Sequence, residues 1–115
     1  MKKYAETHEY VDVEGNVATV GISEDAADQL GDVTEVMFPK IGETVKKGDS
    51  FFSIESVKAV QDIYAPVSGK VIELNTVLAD TPELINDDPE GRGWILKIEM
   101  SDPAELDTLL DQDPV

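Results

Sequence analysis

Short apolar stretches alternate with Gly, Pro, Asn and Asp along the whole chain, the pattern of an all-β fold joined by tight turns. Tyr10-Val11-Asp12-Val13 and Val17-Ala18-Thr19-Val20-Gly21-Ile22 flank Glu14-Gly15-Asn16, which predicts a hairpin with a glycine-containing turn. Ser23 then reads as a helix N-cap, with Glu24 and Asp25 placed where a helix favours negative charge. Gly31 suits the left-handed residue that ends a helix, so a short helix is expected over 23–30.

The middle of the chain repeats itself. Val33, Val36, Pro39, Gly42 and Val45 recur as Val60, Ile63, Pro66, Gly69 and Ile72, each offset by 27 residues. An internal offset of this size predicts two similar β-units, about 33–58 and 60–98. Two units are too few for an extended solenoid, but they can pair about a pseudo-twofold axis and bury both apolar faces. Between them, Phe51 to Val60 reads as strand, turn, strand, with the turn near residues 56–59. From Leu78 to Gly93 the chain is polar and rich in turn residues, predicting a surface wrap with a helical turn around 82–86. Trp94-Ile95-Leu96-Lys97-Ile98 reads as a last strand. Asp102-Pro103-Ala104-Glu105 resembles a capping box, and Leu106, Leu109 and Leu110 would share one face of a helix over about 103–111. Asp111 to Val115 is expected to be a frayed acidic tail.

Composition narrows this picture. A length of 115 residues fits a single domain over residues 1–115, and 41% hydrophobic with 6% aromatic residues implies a thin core of Val, Ile and Leu. The expected architecture is all-β with short peripheral helices, a flattened β-barrel or barrel-sandwich hybrid of two quasi-symmetric units. A net charge of −16 argues against nucleic acid and against an anionic membrane, since both are bound through Lys and Arg. The acidity either keeps the chain soluble or steers it toward basic patches on partners. There is no cysteine, which removes disulfides, thiolate catalysis and Cys-based zinc sites. No leader or membrane-spanning segment is visible, so a cytoplasmic location is expected. With one histidine, His8, and no phosphate-cradling loop, no catalytic residue and no metal site is expected.

Lys58 stands apart, the only lysine inside an otherwise apolar hairpin. A lysine in a turn is usually no more than a solvated charge. Its surroundings change that reading. Glu55-Ser56-Val57-Lys58-Ala59, between twin β-units and followed by Ala65-Pro66-Val67-Ser68-Gly69, resembles the modification site of the biotinyl and lipoyl carriers. Biotinyl carriers place Met on both sides of the lysine, where this chain has Val57 and Ala59. The chain is most similar to the H-protein family of the glycine cleavage system. That likeness runs through Thr7-His8-Glu9-Tyr10-Val11, Ala18 to Ile22, Leu30-Gly31-Asp32-Val33, Leu84-Ile85-Asn86 and Gly93-Trp94. Tyr10 departs from the family, which usually has Trp there.

The resemblance implies that Lys58, held on a hairpin tip and flanked by Glu55, Ser56, Val57 and Ala59, carries lipoic acid as an amide attached by a lipoate ligase or octanoyltransferase. It implies a non-catalytic shuttle. The aminomethyl group would pass from a pyridoxal-phosphate glycine decarboxylase to a tetrahydrofolate-dependent aminomethyltransferase. The dithiol would then be reoxidised by dihydrolipoamide dehydrogenase. It also implies a cleft that shields the loaded arm, lined by Thr7, His8, Glu9 and Asp62. A carboxylate there would pair with the cationic amine, Glu9 first and Asp62 second. Glu9→Ala would then speed hydrolysis of the loaded arm without preventing attachment. Four alternatives stay open on the residues alone: a biotinyl carrier, a lipoyl donor for 2-oxoacid dehydrogenase complexes, an unmodified scaffold, and an enzyme around His8.

Overall fold

The computed structural model describes residues 1–114. It opens with a strand that the hydrophobic pattern does not predict, β1 (Lys2–Tyr4), laid against β2 (Glu9–Glu14). β2 pairs antiparallel with β3 (Val17–Ile22) from Glu9↔Ile22 to Glu14↔Val17, and Gly15 turns the hairpin at φ +62°. Val11, Ala18 and Val20 are fully buried on its inner face. Ser23 caps α1 (Glu24–Leu30) by accepting the Ala26 N–H at 3.2 Å.

The two predicted units then supply six strands. These are β4 (Val33–Met37), β5 (Thr44–Val45), β6 (Ser50–Ser56), β7 (Val60–Tyr64), β8 (Gly69–Leu74) and β9 (Leu96–Met100). They sort into two antiparallel sheets. A six-stranded sheet runs β1-β2-β3-β9-β8-β5, and a three-stranded sheet runs β4-β6-β7. The all-β architecture of two related units is present, but as a sandwich: the sheets do not close into a barrel. Each edge of the small sheet is met by another group at one end. The Val33 N–H goes to the Asn86 side chain, and Ala65, just past β7, exchanges backbone bonds with Gly48 and Asp49. Edge groups satisfied in this way have no ladder left to offer.

The repeat is visible in this arrangement. β4 and β7 flank β6 on opposite edges, while β5 and β8 pair with each other. Val36 and Ile63 are buried at equivalent positions, and so are Pro39 and Pro66. The symmetry fails at the ends: Val33 and Val45 are buried, but Val60 and Ile72 are exposed. The third strands also diverge, β6 entering the small sheet and β9 the large one between β3 and β8.

Several sequence expectations need correction. The wrap after β8 forms two short helices, α2 (Val77–Asp80) and α3 (Leu84–Asp87), instead of one turn. The last strand starts two residues later than expected, because the Trp94 N–H bonds to the Gly91 carbonyl within a turn. The C-terminal helix is a 3₁₀ helix confined to Pro103–Thr108. Its capping box does not form, because the Glu105 carboxylate accepts the Ser68 N–H at 2.7 Å and the Ser68 hydroxyl at 2.8 Å. Leu106 and Leu109 are buried, whereas Leu110 turns out and exchanges two 2.8 Å backbone bonds with Tyr4. The tail is tied down as far as it is described. Asp111 pairs with Lys3, and Asp113 Oδ1 lies 2.9 Å from His8 Nδ1; Val115 lies outside the described residues. Among the described residues no helix is long and apolar enough to cross a membrane.

Candidate functional site

Lys58 lies in the four-residue turn that joins β6 to β7, closed by the Ser56 N–H bonding to the Ala59 carbonyl at 2.9 Å. Ser56 is 6% exposed, and its hydroxyl works three times. It accepts the Lys58 and Ala59 N–H groups at 3.3 Å each and donates to the Ala59 carbonyl at 3.2 Å. One short side chain thus satisfies the backbone groups of a turn that projects into water. The turn is also moored from outside, where the Val57 N–H donates to the Asp32 carbonyl at 3.0 Å.

On this frame Val57, Lys58 and Ala59 are exposed. Among the described residues, Lys58 Nζ forms no ion pair. Its stem lies over Gly31, the residue that ends α1. A Cβ built there would come within 3.2 Å of Lys58 Cε, and φ +74° already disfavours any side chain. Glu55 sits on the outer face of the small sheet opposite Val60, where the Thr34 hydroxyl donates to its carbonyl at 3.2 Å.

Leu30, beside Gly31, begins a cleft of about 210 Å³. Thr7, His8 and Glu9 form one wall, Gln29 and Leu30 a second, and Gln61 a third, above Ile22 and Ile63. Glu9 is only 2% exposed. The Thr7 hydroxyl donates to its Oε1, and the Tyr64 N–H approaches Oε2 at 3.5 Å. Burial pushes the Glu9 carboxyl above the usual carboxylate range, and the Thr7 and Tyr64 hydrogen bonds offset only part of that. His8 sits in a left-handed turn, φ +74°, between β1 and β2 and is half-buried, so it is not the surface residue of a flexible end that its position suggests. One of its ring nitrogens and oxygens of Asp25 and Asp113 lie within 4.8 Å of one another, but Asp25 is exposed and Asp113 already pairs with His8.

The structure therefore brings Thr7, His8 and Glu9 together and leaves Asp62 out. Strand alternation decides this: Gln61 and Ile63 face the cleft, so Asp62 points to the outer face, where the Ser53 hydroxyl donates to it at 3.2 Å. Gln61 takes the place expected for Asp62. Its parity with the apolar Ile63 is a signal the sequence contains. Asn86 is a second residue whose role sequence reasoning misses. Its amide donates to the Gly31 carbonyl at 2.7 Å and accepts the Val33 N–H at 2.9 Å, clamping the segment on which the lysine turn is moored.

Comparison with known proteins bears on the family of the chain. A family profile described as Glycine cleavage H-protein matches residues 2–115. A Glycine cleavage system H protein of Thermotoga maritima is 58% identical over 112 residues, covering 97% of this chain and 90% of that protein. One from Symbiobacterium thermophilum is 57% identical over 109 residues, covering 95% and 85%. Among solved structures, the crystal structure of a glycine cleavage system H protein from Mycobacterium marinum superposes with a TM-score of 0.82 at 38% identity, covering 87% of this chain and 84% of that one. A two-sheet sandwich whose sequence is matched along nearly its full length makes this chain a member of the glycine cleavage H-protein family.

Proposed function

We propose that the chain is a lipoyl-bearing shuttle, modified at Lys58, that carries an aminomethyl group from glycine decarboxylase to a tetrahydrofolate-dependent aminomethyltransferase and delivers a dithiol to dihydrolipoamide dehydrogenase. The observation that carries this reading is the setting of Lys58: an exposed amine with no ion pair among the described residues, on a turn whose backbone is held by Ser56 and Asp32. A lipoate ligase or an octanoyltransferase would join that amine to a carboxylate as an amide, releasing the activating group and removing one positive charge.

The residues present fit such a group. Lys58 supplies the amine, and the neighbouring cleft offers apolar walls at Leu30, Ile22 and Ile63 with polar atoms at Gln29, Gln61 and Glu9. When bound, a lipoyl group supplies a cyclic disulfide able to accept a carbon fragment and two electrons. The chain's own contribution is to hold the amine where several partners reach it, raising its effective concentration at each. Glu9 adds a carboxylate kept out of bulk water, positioned to attract a cationic amine, with Thr7 and Tyr64 fixing its oxygens. In this reading no catalytic residue is required of the carrier.

Intact-mass analysis of protein made in cells with a working lipoate pathway, followed by peptide mapping, tests this directly. The expected result is one lipoyl addition, on Lys58, lost in Lys58→Arg. A bare lysine or a biotinyl mass would overturn the reading.

A further inference from the structure

We propose that Asn86 is a positioning residue for Lys58, setting the orientation of the lysine turn through the segment 31–33. This rests on Lys58 being the attachment site. It deepens that reading by naming what aims the amine.

Backbone groups of successive residues in an extended segment point to opposite sides. Here the Gly31 carbonyl and the Val33 N–H both face Asn86, at 2.7 and 2.9 Å, while the Asp32 carbonyl faces the other way and accepts the Val57 N–H at 3.0 Å. The side-chain amide thus acts as a one-residue strand on one side of the segment, and the lysine turn hangs from the other. Ser56 holds the internal shape of the turn but does not orient it. Among the described residues, the bond from Val57 to Asp32 is the one hydrogen bond that ties residues 57–59 to anything outside the hairpin. Gly31, the other end of the clamp, is also where the Lys58 stem lies. A shift of this segment moves both the mooring and the rest of the side chain. Asn86 suits the task because a carboxamide donates and accepts at once. Aspartate in its place would keep the acceptor for Val33 and turn an oxygen toward the Gly31 carbonyl.

The test is attachment kinetics on the full-length apoprotein with purified lipoate ligase, lipoate and ATP. In Asn86→Ala the turn samples more orientations, so the ligase meets the competent one less often. KM for the carrier should rise on the order of tenfold while kcat is kept. Hydrogen exchange at the Val57 amide should quicken by a similar factor, with the Val20 amide in the large sheet unchanged. Leu109→Ala, which loosens the core around the C-terminal segment, should leave both readouts as in the wild type. Asn86→Asp should change them in the same direction as alanine and serves if the alanine variant fails to fold. Unchanged KM and unchanged Val57 exchange in a folded Asn86 variant would overturn the proposal. So would an equal rise in KM for Leu109→Ala. If the wild type accepts no lipoate, the function proposed for Lys58 fails, and Val57 exchange still decides whether Asn86 orients the turn.

Discussion

β4 and β7 are the same strand twice: equivalent in the repeat, each antiparallel to β6 on opposite sides of it, and each forming one edge of the small sheet. At each edge a side chain from outside the strand reaches a backbone N–H. At β4 it is the Asn86 carboxamide on Val33, at 2.9 Å; at β7 it is the Glu9 carboxylate on Tyr64, at 3.5 Å. The neutral amide has both its donor and its acceptor filled by backbone and makes a fixed clamp. The carboxylate is buried with hydrogen bonds too few to offset its desolvation, and it opens onto a cleft. A side chain from outside thus fixes the backbone at the start of β4, whereas at the end of β7 the side chain that reaches the edge is a buried carboxylate facing a cleft. The duplicated pattern supplies the frame, and unrelated segments, 84–87 and 7–9, make the two edges different.

The strand the two edges share should matter most. Ile54 is fully buried in β6 and pairs with Val36 on one side and Gln61 on the other. Ile54→Ala should cost about 2–5 kcal/mol, read as a lower urea midpoint, because the cavity cannot collapse from either edge. A loss below about 1 kcal/mol would mean that the edges hold themselves, contrary to the comparison.

The next test uses the place where the repeat breaks. Val33 and Val60 begin their strands at equivalent positions, but Val33 is 4% exposed and Val60 57%. Val33→Ala should cost about 1–2 kcal/mol, and Val60→Ala should stay within about 0.5 kcal/mol. Equal losses at the two sites would show that the asymmetry of burial carries no energetic weight.

The same asymmetry marks what a sequence can reveal. The hairpin from Tyr10 to Ile22, the cap at Ser23, the helix end at Gly31 and the lysine turn are legible because each is a local rule: alternation, a capping residue, a left-handed glycine, a break between apolar runs. The two-unit frame is legible because it is written twice. The clamp at Asn86 is not, since its partners are backbone groups of distant residues, and every residue type carries those. β1 and the tethered tail escape for a related reason, as Lys3–Asp111 and His8–Asp113 join opposite ends of the chain. Asp62 is a different failure. The alternation that buries Ile63 already turns residue 62 outward and residue 61 inward, whereas the family resemblance points to residue 62. Whether the two sheets close on each other is not legible, because strand patterns record which face is apolar and say little about which edges remain free.

The smallest effect separates the two edge side chains by charge. Burial raises the Glu9 carboxyl above its ordinary value of 4.5, so the folded chain holds that proton more tightly than the unfolded one. The stability contributed by this group is then fully present below pH 4.5 and declines as pH rises through the folded-state value. Glu9→Gln removes the titration, keeps an oxygen for the Tyr64 N–H, and turns an NH2 toward the Thr7 hydroxyl, which can rotate to accept from it. Measured by urea unfolding, the variant should gain on the wild type between pH 4 and pH 7, and lipoylation of Lys58 should be unchanged. Asn86→Asp should behave in the opposite sense, losing ground over the same interval as a carboxylate forms opposite the Gly31 carbonyl. If Glu9→Gln tracks the wild type at both pH values, the carboxylate is not penalised by its burial, and the β7 edge is as inert a clamp as the β4 edge.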